Sequence, residues 1–96
     1  MTTWFISRHL GAIEWIKQQN IQIDRFESHL DTSLVQAGDV VIGTLPIHLA
    51  AEICQKGATF YFLSVNVSAQ QRGTELTAQQ LVDQGCALQA FHIWKL

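Results

Sequence analysis

The chain has 96 residues, 48% hydrophobic and 15% charged, with a formal net charge of −2. That length fits one unit spanning residues 1–96, and a charged fraction below the roughly 25% of an average soluble domain excludes a solvating, disordered tail. No basic run offers a face to duplex nucleic acid, and no apolar stretch reaches the ~20 residues that span a membrane.

Thr3-Trp4-Phe5-Ile6-Ser7 reads as a strand, apolar and aromatic. Gly11 to Gln19 reads as a helix with Ala12, Ile13, Trp15 and Ile16 on its inner side, stopping near Asn20. Ile21 to Glu27 is a weaker strand, and Asp31 to Ala37 a turn or short helix. Asp39-Val40-Val41-Ile42-Gly43 is a short apolar strand of the kind buried on both faces. Pro46 fits the first turn of a second helix, with Ile47, Ala50, Ile53 and Cys54 as its apolar stripe and Gly57 as its C′ residue.

Thr59 to Val65 is the strongest strand signal in the chain. A third helix is announced by a Thr77/Gln80 capping box and a Leu76/Leu81 staple, and Gly85 ends it. Ala87 to Trp94 is the last strand, with Leu88, Ala90 and Phe91 expected to face the core. The sum is an α/β chain: a small, Rossmann-like, three-layer domain with a mostly parallel sheet of about five strands.

In such a sheet, ligands bind outside the carboxyl ends of the strands. Three loops are expected there: Ser7-Arg8-His9-Leu10-Gly11, Gly43-Thr44-Leu45-Pro46, and Asn66 to Glu75 with Arg72 and Glu75. A hydroxyl, a guanidinium and an imidazole before a helix start make an anion site. The helix amides favour a phosphate, arginine clamps it with two hydrogen bonds, and histidine moves protons near neutrality. The plainer reading is that Ser7 or His9 caps the helix while Arg8 is solvated.

Gly43-Thr44 fits a phosphate or ribose cradle, or a simple strand-to-helix turn. It lacks the lysine of a Walker loop and is not G-x-G-x-x-G. Arg72 and Glu75 fit a closing loop or a solvated one. Glu14 and Trp15 lie in the first turns of the helix, where Trp15 stacks on a base or joins the core.

His48 and His92 read as structural, and His29 is ambiguous. The four histidines show no metal-binding spacing, so neither a metal nor a cofactor is expected. Cys54 and Cys86 read as buried, reduced thiols. Met1-Thr2-Thr3 carries no basic leader, so the expected location is the cytoplasm. A short chain with few charges has apolar surface to cover, which leads to the expectation of a homodimer, with a higher oligomer as the alternative.

Ser7-Arg8-His9, Gly11-Ala12 and Glu14-Trp15 resemble the opening of Csx-sixteen, a family of small type III CRISPR-associated proteins. So do His29-Leu30-Asp31, the run from Gly38 to Pro46, Leu49-Ala50-Ala51-Glu52, Arg72-Gly73-x-Glu75-Leu76 and Phe91-His92. The ordered set covers nearly the whole chain. Departures are Leu10 and Ser68-Ala69, where that family has prolines, and Trp94-Lys95 in place of a more basic end.

The resemblance implies a nucleotide-sensing domain of CRISPR defence. Its ligand would be a cyclic oligoadenylate, chiefly cyclic tetra-adenylate, held by a two-fold homodimer. Its activity would be that of a ring nuclease, in which a ribose 2′-hydroxyl attacks the adjacent phosphate without a metal. Arg8 would stabilise the phosphate, Ser7 orient an oxygen, and His9 act as acid or base. Gly11, Glu14, Trp15, Gly43, Thr44, Arg72 and Glu75 would surround the ligand. A module that binds the messenger without cutting it, and an interaction protein with no nucleotide ligand, are the competing readings.

Overall fold

A computed structural model describes residues 1–64 and 87–96. Its elements are β1 (Thr3–Ile6), α1 (Leu10–Gln18), β2 (Arg25–Glu27), a single 3₁₀ turn (Thr32–Leu34), β3 (Val40–Gly43), α2 (Ile47–Gln55), β4 (Thr59–Ser64) and β5 (Ala87–Phe91). The loop from Asn66 to Glu75, the third helix with its Thr77/Gln80 box, and Cys86 lie outside the described residues.

The strands form one sheet in the order β2-β1-β3-β4-β5. β1 pairs in parallel with β2 and β3, and β3 with β4. β5 returns antiparallel to β4, placing Leu88 beside Leu63 and Phe91 beside Phe60. The sheet is therefore mostly parallel, as expected.

Strand alternation sends successive side chains to opposite faces. Trp4, Ile6, Val41 and Phe60 meet Ala50, Ile53 and Cys54 of α2 on one face. Phe5, Ile42 and Leu63 meet Ala12, Trp15 and Ile16 of α1 on the other. Three layers result, and β3 is buried on both sides as its apolar run requires. Phe5, Ile16, Ile53 and Val41 are the largest side chains fully removed from water. Burying each contributes roughly 1.5–3 kcal/mol.

Two strands are shorter than their apolar patterns, for the same reason. β1 begins at Thr3 and pairs Trp4 with Arg25, so residues 21–23 have no strand beside them. Asp24 closes that end: its carboxylate accepts the Thr3 N–H at 2.8 Å, and its own N–H donates to the Thr3 carbonyl at 2.8 Å. At the far side β4 begins at Thr59, so residues 93–94 run past it. There the Ile93 N–H donates to the buried Cys54 Sγ at 3.5 Å instead. Cys54 is a free thiol.

α2 starts one residue later than expected, because Pro46 is its N-cap with extended backbone. Gly57 takes the left-handed conformation (φ +95°) that ends the helix. Some outward and inward expectations are corrected. Ile47, the first residue of α2, is 72% exposed rather than part of the buried stripe. Ala90 is exposed, and Phe91 is only half covered by its edge-to-face contact with Phe62 at 6.0 Å. No helix among the described residues is long and apolar enough to cross a membrane.

Candidate functional site

β1 lies between β2 and β3, and the helices that follow β1 and β3 pack on opposite faces. The chain direction therefore diverges between β1 and β3, and a crevice opens at their carboxyl ends. A cleft of about 240 Å³ occupies that position.

Its walls come from three segments. Ser7, Arg8 and His9 follow β1; Ser28, His29 and Leu30 follow β2; Thr44, Leu45 and Pro46 lead into α2. Ile6 and Leu49 form its apolar floor. The sheet thus gathers Ser7, Arg8, His9 and Thr44, the residues singled out in the sequence.

The loop after β1 is tied down. Ser7 is 9% exposed, and its N–H donates to the Glu27 carbonyl at 3.1 Å, joining the ends of β1 and β2. Its Oγ accepts the His9 N–H at 3.1 Å. A hydroxyl that accepts in this way still has its own proton to donate. His9 is the N-cap of α1 through its backbone, and its side chain makes no capping bond. Arg8, His9, His29 and Thr44 are all exposed. The amino ends of α1 and α2 border the cleft, so two helix dipoles favour negative charge there.

Gly43 has a structural task beneath the cleft. It sits at φ +144°, and a Cβ there would lie 2.2 Å from the Ile6 carbonyl oxygen. Only glycine lets β1 and β3 close at this end. Gly11 is buried in the first turn of α1. Glu14 is exposed on that helix and does not line the cleft. Trp15 is corrected as a ligand contact: it is 6% exposed and packs among Phe5, Ala12 and Ile16. Arg72 and Glu75 lie outside the described residues.

Ser28 and His29 are the site residues that sequence reasoning missed. The rule applied to β1 and β3, that residues just past a parallel strand reach the ligand edge, applies equally to β2. The weak pattern of that strand hid the signal. The segment is well anchored. The Ser33 hydroxyl and N–H both donate to Asp31 Oδ1, at 2.6 and 3.0 Å, and hold its carboxyl below the ordinary 3.8. Lys56 Nζ donates to the Thr32 and Val35 carbonyls, and Thr32 Oγ1 donates to Glu52 of α2 at 2.8 Å.

The other two histidines lie outside the cleft lining: His48 is exposed on α2, and His92 is exposed with its ring stacked on Trp94 at 5.6 Å.

Comparison with protein families finds one match. The family model described as "Putative CRISPR-associated protein (Cas_VVA1548)" covers residues 4–94. Comparison with curated proteins found no match, and neither did comparison with solved structures. The family model takes in all three walls of the cleft and almost the entire chain, so the protein belongs to this CRISPR-associated family.

Proposed function

We propose that the protein is a ring nuclease that binds a cyclic oligoadenylate, chiefly cyclic tetra-adenylate, and opens it in CRISPR defence. The observation that carries this reading is the cleft at the switch of chain direction, with an arginine, two histidines, three hydroxyls and two helix amino ends around it. That is a site for a phosphate with an acid–base group beside it. The resemblance to Csx-sixteen supplies the ligand class, and membership in a CRISPR-associated family fits the defence setting.

The reaction asks little covalent chemistry of the protein. A ribose 2′-oxygen attacks the adjacent phosphorus in line, the 5′-oxygen leaves, and a 2′,3′-cyclic phosphate remains. Arg8 stabilises the charge that builds on the phosphorane, Ser7 orients an oxygen, and His9 moves a proton. Thr44 contacts the ligand from the α2 wall. No metal or cofactor is required for an attack by a hydroxyl already attached to the substrate.

Size supports a homodimer. Pockets that enclose a drug-sized ligand hold roughly 300–1,000 Å³. A cleft of about 240 Å³ suits one phosphate and its ribose rather than a whole ring. Two copies facing each other would present Ser7, Arg8 and His9 twice to a ring that has its own two-fold symmetry.

The test is product analysis of labelled cyclic tetra-adenylate incubated with the protein and a chelator. Linear product ending in a 2′,3′-cyclic phosphate is expected. An intact ring that comigrates with the protein would make this a messenger-binding module, and an intact ring with no binding would remove the nucleotide reading.

A further inference from the structure

The cleft holds a second imidazole. His29 lines the same cavity as His9 but reaches it from the end of a different strand. His9 leads into α1, on one face of the sheet. Leu30, the neighbour of His29, packs against the core beneath α2, on the other face. The two histidines therefore enter the cleft from separate strand ends, His9 after β1 and His29 after β2.

The chemistry of an in-line attack needs that separation. One proton must leave the 2′-oxygen and one must reach the departing 5′-oxygen, and these two atoms lie on opposite sides of the phosphorus. A single side chain on one wall cannot attend to both at once. An arginine guanidinium does not serve as a proton-transfer group near neutrality. Among the described residues lining the cleft, only His9 and His29 belong to the residue type that does.

The segment carrying His29 is also held for positioning. The bond from the Ser7 N–H to the Glu27 carbonyl fixes it on one side. Lys56 bonded to Thr32 and Val35, and Glu52 bonded to Thr32, fix it on the other. A group clamped at both ends keeps a geometry that a loose loop would not.

We propose that His29 is the second proton-transfer residue of the cleft, working on one end of the scissile linkage while His9 works on the other. The proposal rests on the ring-nuclease reading. In the step, the 2′-oxygen–phosphorus bond forms and the phosphorus–5′-oxygen bond breaks. One neutral imidazole takes the proton of the 2′-hydroxyl, and the other, as imidazolium, gives its proton to the 5′-oxygen. No water is consumed, and the phosphodiester charge stays on the cyclic phosphate. The charged groups around His29 are Arg8 and His9 in the cleft, Glu27 paired with Arg25, Asp31 held by Ser33, and Glu52 and Lys56 on α2.

The experiment is single-turnover cleavage of cyclic tetra-adenylate by the wild-type protein, His9→Ala, His29→Ala and His29→Gln, from about pH 5 to about pH 9. Melting curves check the fold, and His29→Gln keeps side-chain size if the alanine variant is unstable. The wild-type profile should be bell-shaped. Both His29 variants should slow cleavage by roughly 100-fold or more and lose one limb of the bell, with ring binding changed far less.

A ring with sulfur in place of the 5′-bridging oxygen has a leaving group that needs no proton. It should restore cleavage in one of the two alanine variants, the one that has lost the acid. Wild-type rates in both His29 variants, or rescue of neither or both alanine variants, would overturn the proposal. An inactive wild-type protein would overturn the reading beneath it as well, so the two failures are told apart.

Discussion

At the amino edge of the sheet, the Asp39 carboxylate is 4% exposed and takes hydrogen bonds from three donors. These are the Thr2 N–H at 2.9 Å, the Gln36 N–H at 3.0 Å and the Trp4 indole at 3.2 Å. At the carboxyl edge, Arg8, His9, His29 and Thr44 are exposed around a cleft. One edge spends its polar chemistry on closing the fold, and the other holds it out to a ligand. Substitutions at the amino edge should therefore move stability and leave the ligand chemistry alone, and those at the open edge should do the reverse.

The largest effect is expected at Gly43, the one place where the open edge is built like the closed one. Its missing Cβ lets the Ile6 carbonyl approach, and its φ of +144° suits glycine alone. Gly43→Ala should cost about 3 kcal/mol or more, from backbone strain and overpacking together. A melting temperature lowered by more than about 10 °C is the expected reading. Because the same residue sets the spacing of β1 and β3, ring binding should weaken too. A variant that melts like the wild type would show that the two strands do not close here as described.

Asp39→Ala should cost about 3 kcal/mol, since it leaves the buried Trp4 indole and the partly buried Thr2 and Gln36 N–H groups without their acceptor. Thermal melting measures this, and cleavage by the folded protein should not change. A pH series sharpens the point. Burial raises the Asp39 pKa, but bonds from Gln36, Thr2 and Trp4 and the nearby terminal ammonium outweigh it, leaving the pKa below 3.8. A lowered folded pKa stabilises the protein above the unfolded value. That contribution fades as pH falls below about 4 through the folded value. Denaturant melts at descending pH should show the loss, and Asp39→Asn should flatten it.

Arg8→Ala carries the contrast to the open edge. Cleavage should fall at least about tenfold, or about 1.4 kcal/mol in the barrier, while stability stays within about 0.5 kcal/mol. The same pair of measurements on His9→Ala should give the same pattern. A large loss of stability in either variant would erase the distinction between the edges.

The sequence was informative where local patterns decide structure. The apolar run from Val40 to Gly43 foretold a strand buried on both faces, and Ala12, Trp15 and Ile16 foretold the inner side of α1. The strand ends were not legible, because they depend on where the neighbouring strand begins. Residues 21–23 are apolar enough for a strand yet have no partner before Thr3. Ser7, Arg8, His9 and Thr44 could be found from one rule about parallel strands. His29 obeys the same rule, but it was hidden by the weak pattern of the strand before it, which is only three residues long. Asp39 looked like an ordinary strand flank, since its donors lie up to 37 positions away.

The smallest effect belongs to Arg25, the arginine at the start of β2. Its guanidinium lies 4.3 Å from the centroid of the Trp4 ring, whose indole N–H donates to Asp39. It also bonds Glu27 at 2.9 Å, but that pair is about two-fifths exposed and is worth little. The cation–π contact contributes roughly 0.5–1 kcal/mol, so Arg25→Ala should lower the melting temperature by only a few degrees. Its value lies in the match with Arg8. Both are exposed arginines, Arg25 in β2 and Arg8 just past the end of its neighbour β1. If charge alone drew the ring to the protein, losing either arginine would weaken binding to a similar degree. If the cleft is the site, Arg8→Ala should weaken it and Arg25→Ala should not, as calorimetry with cyclic tetra-adenylate would show. Equal losses would mean that the ligand is held by overall charge, and the division between the two edges would fall.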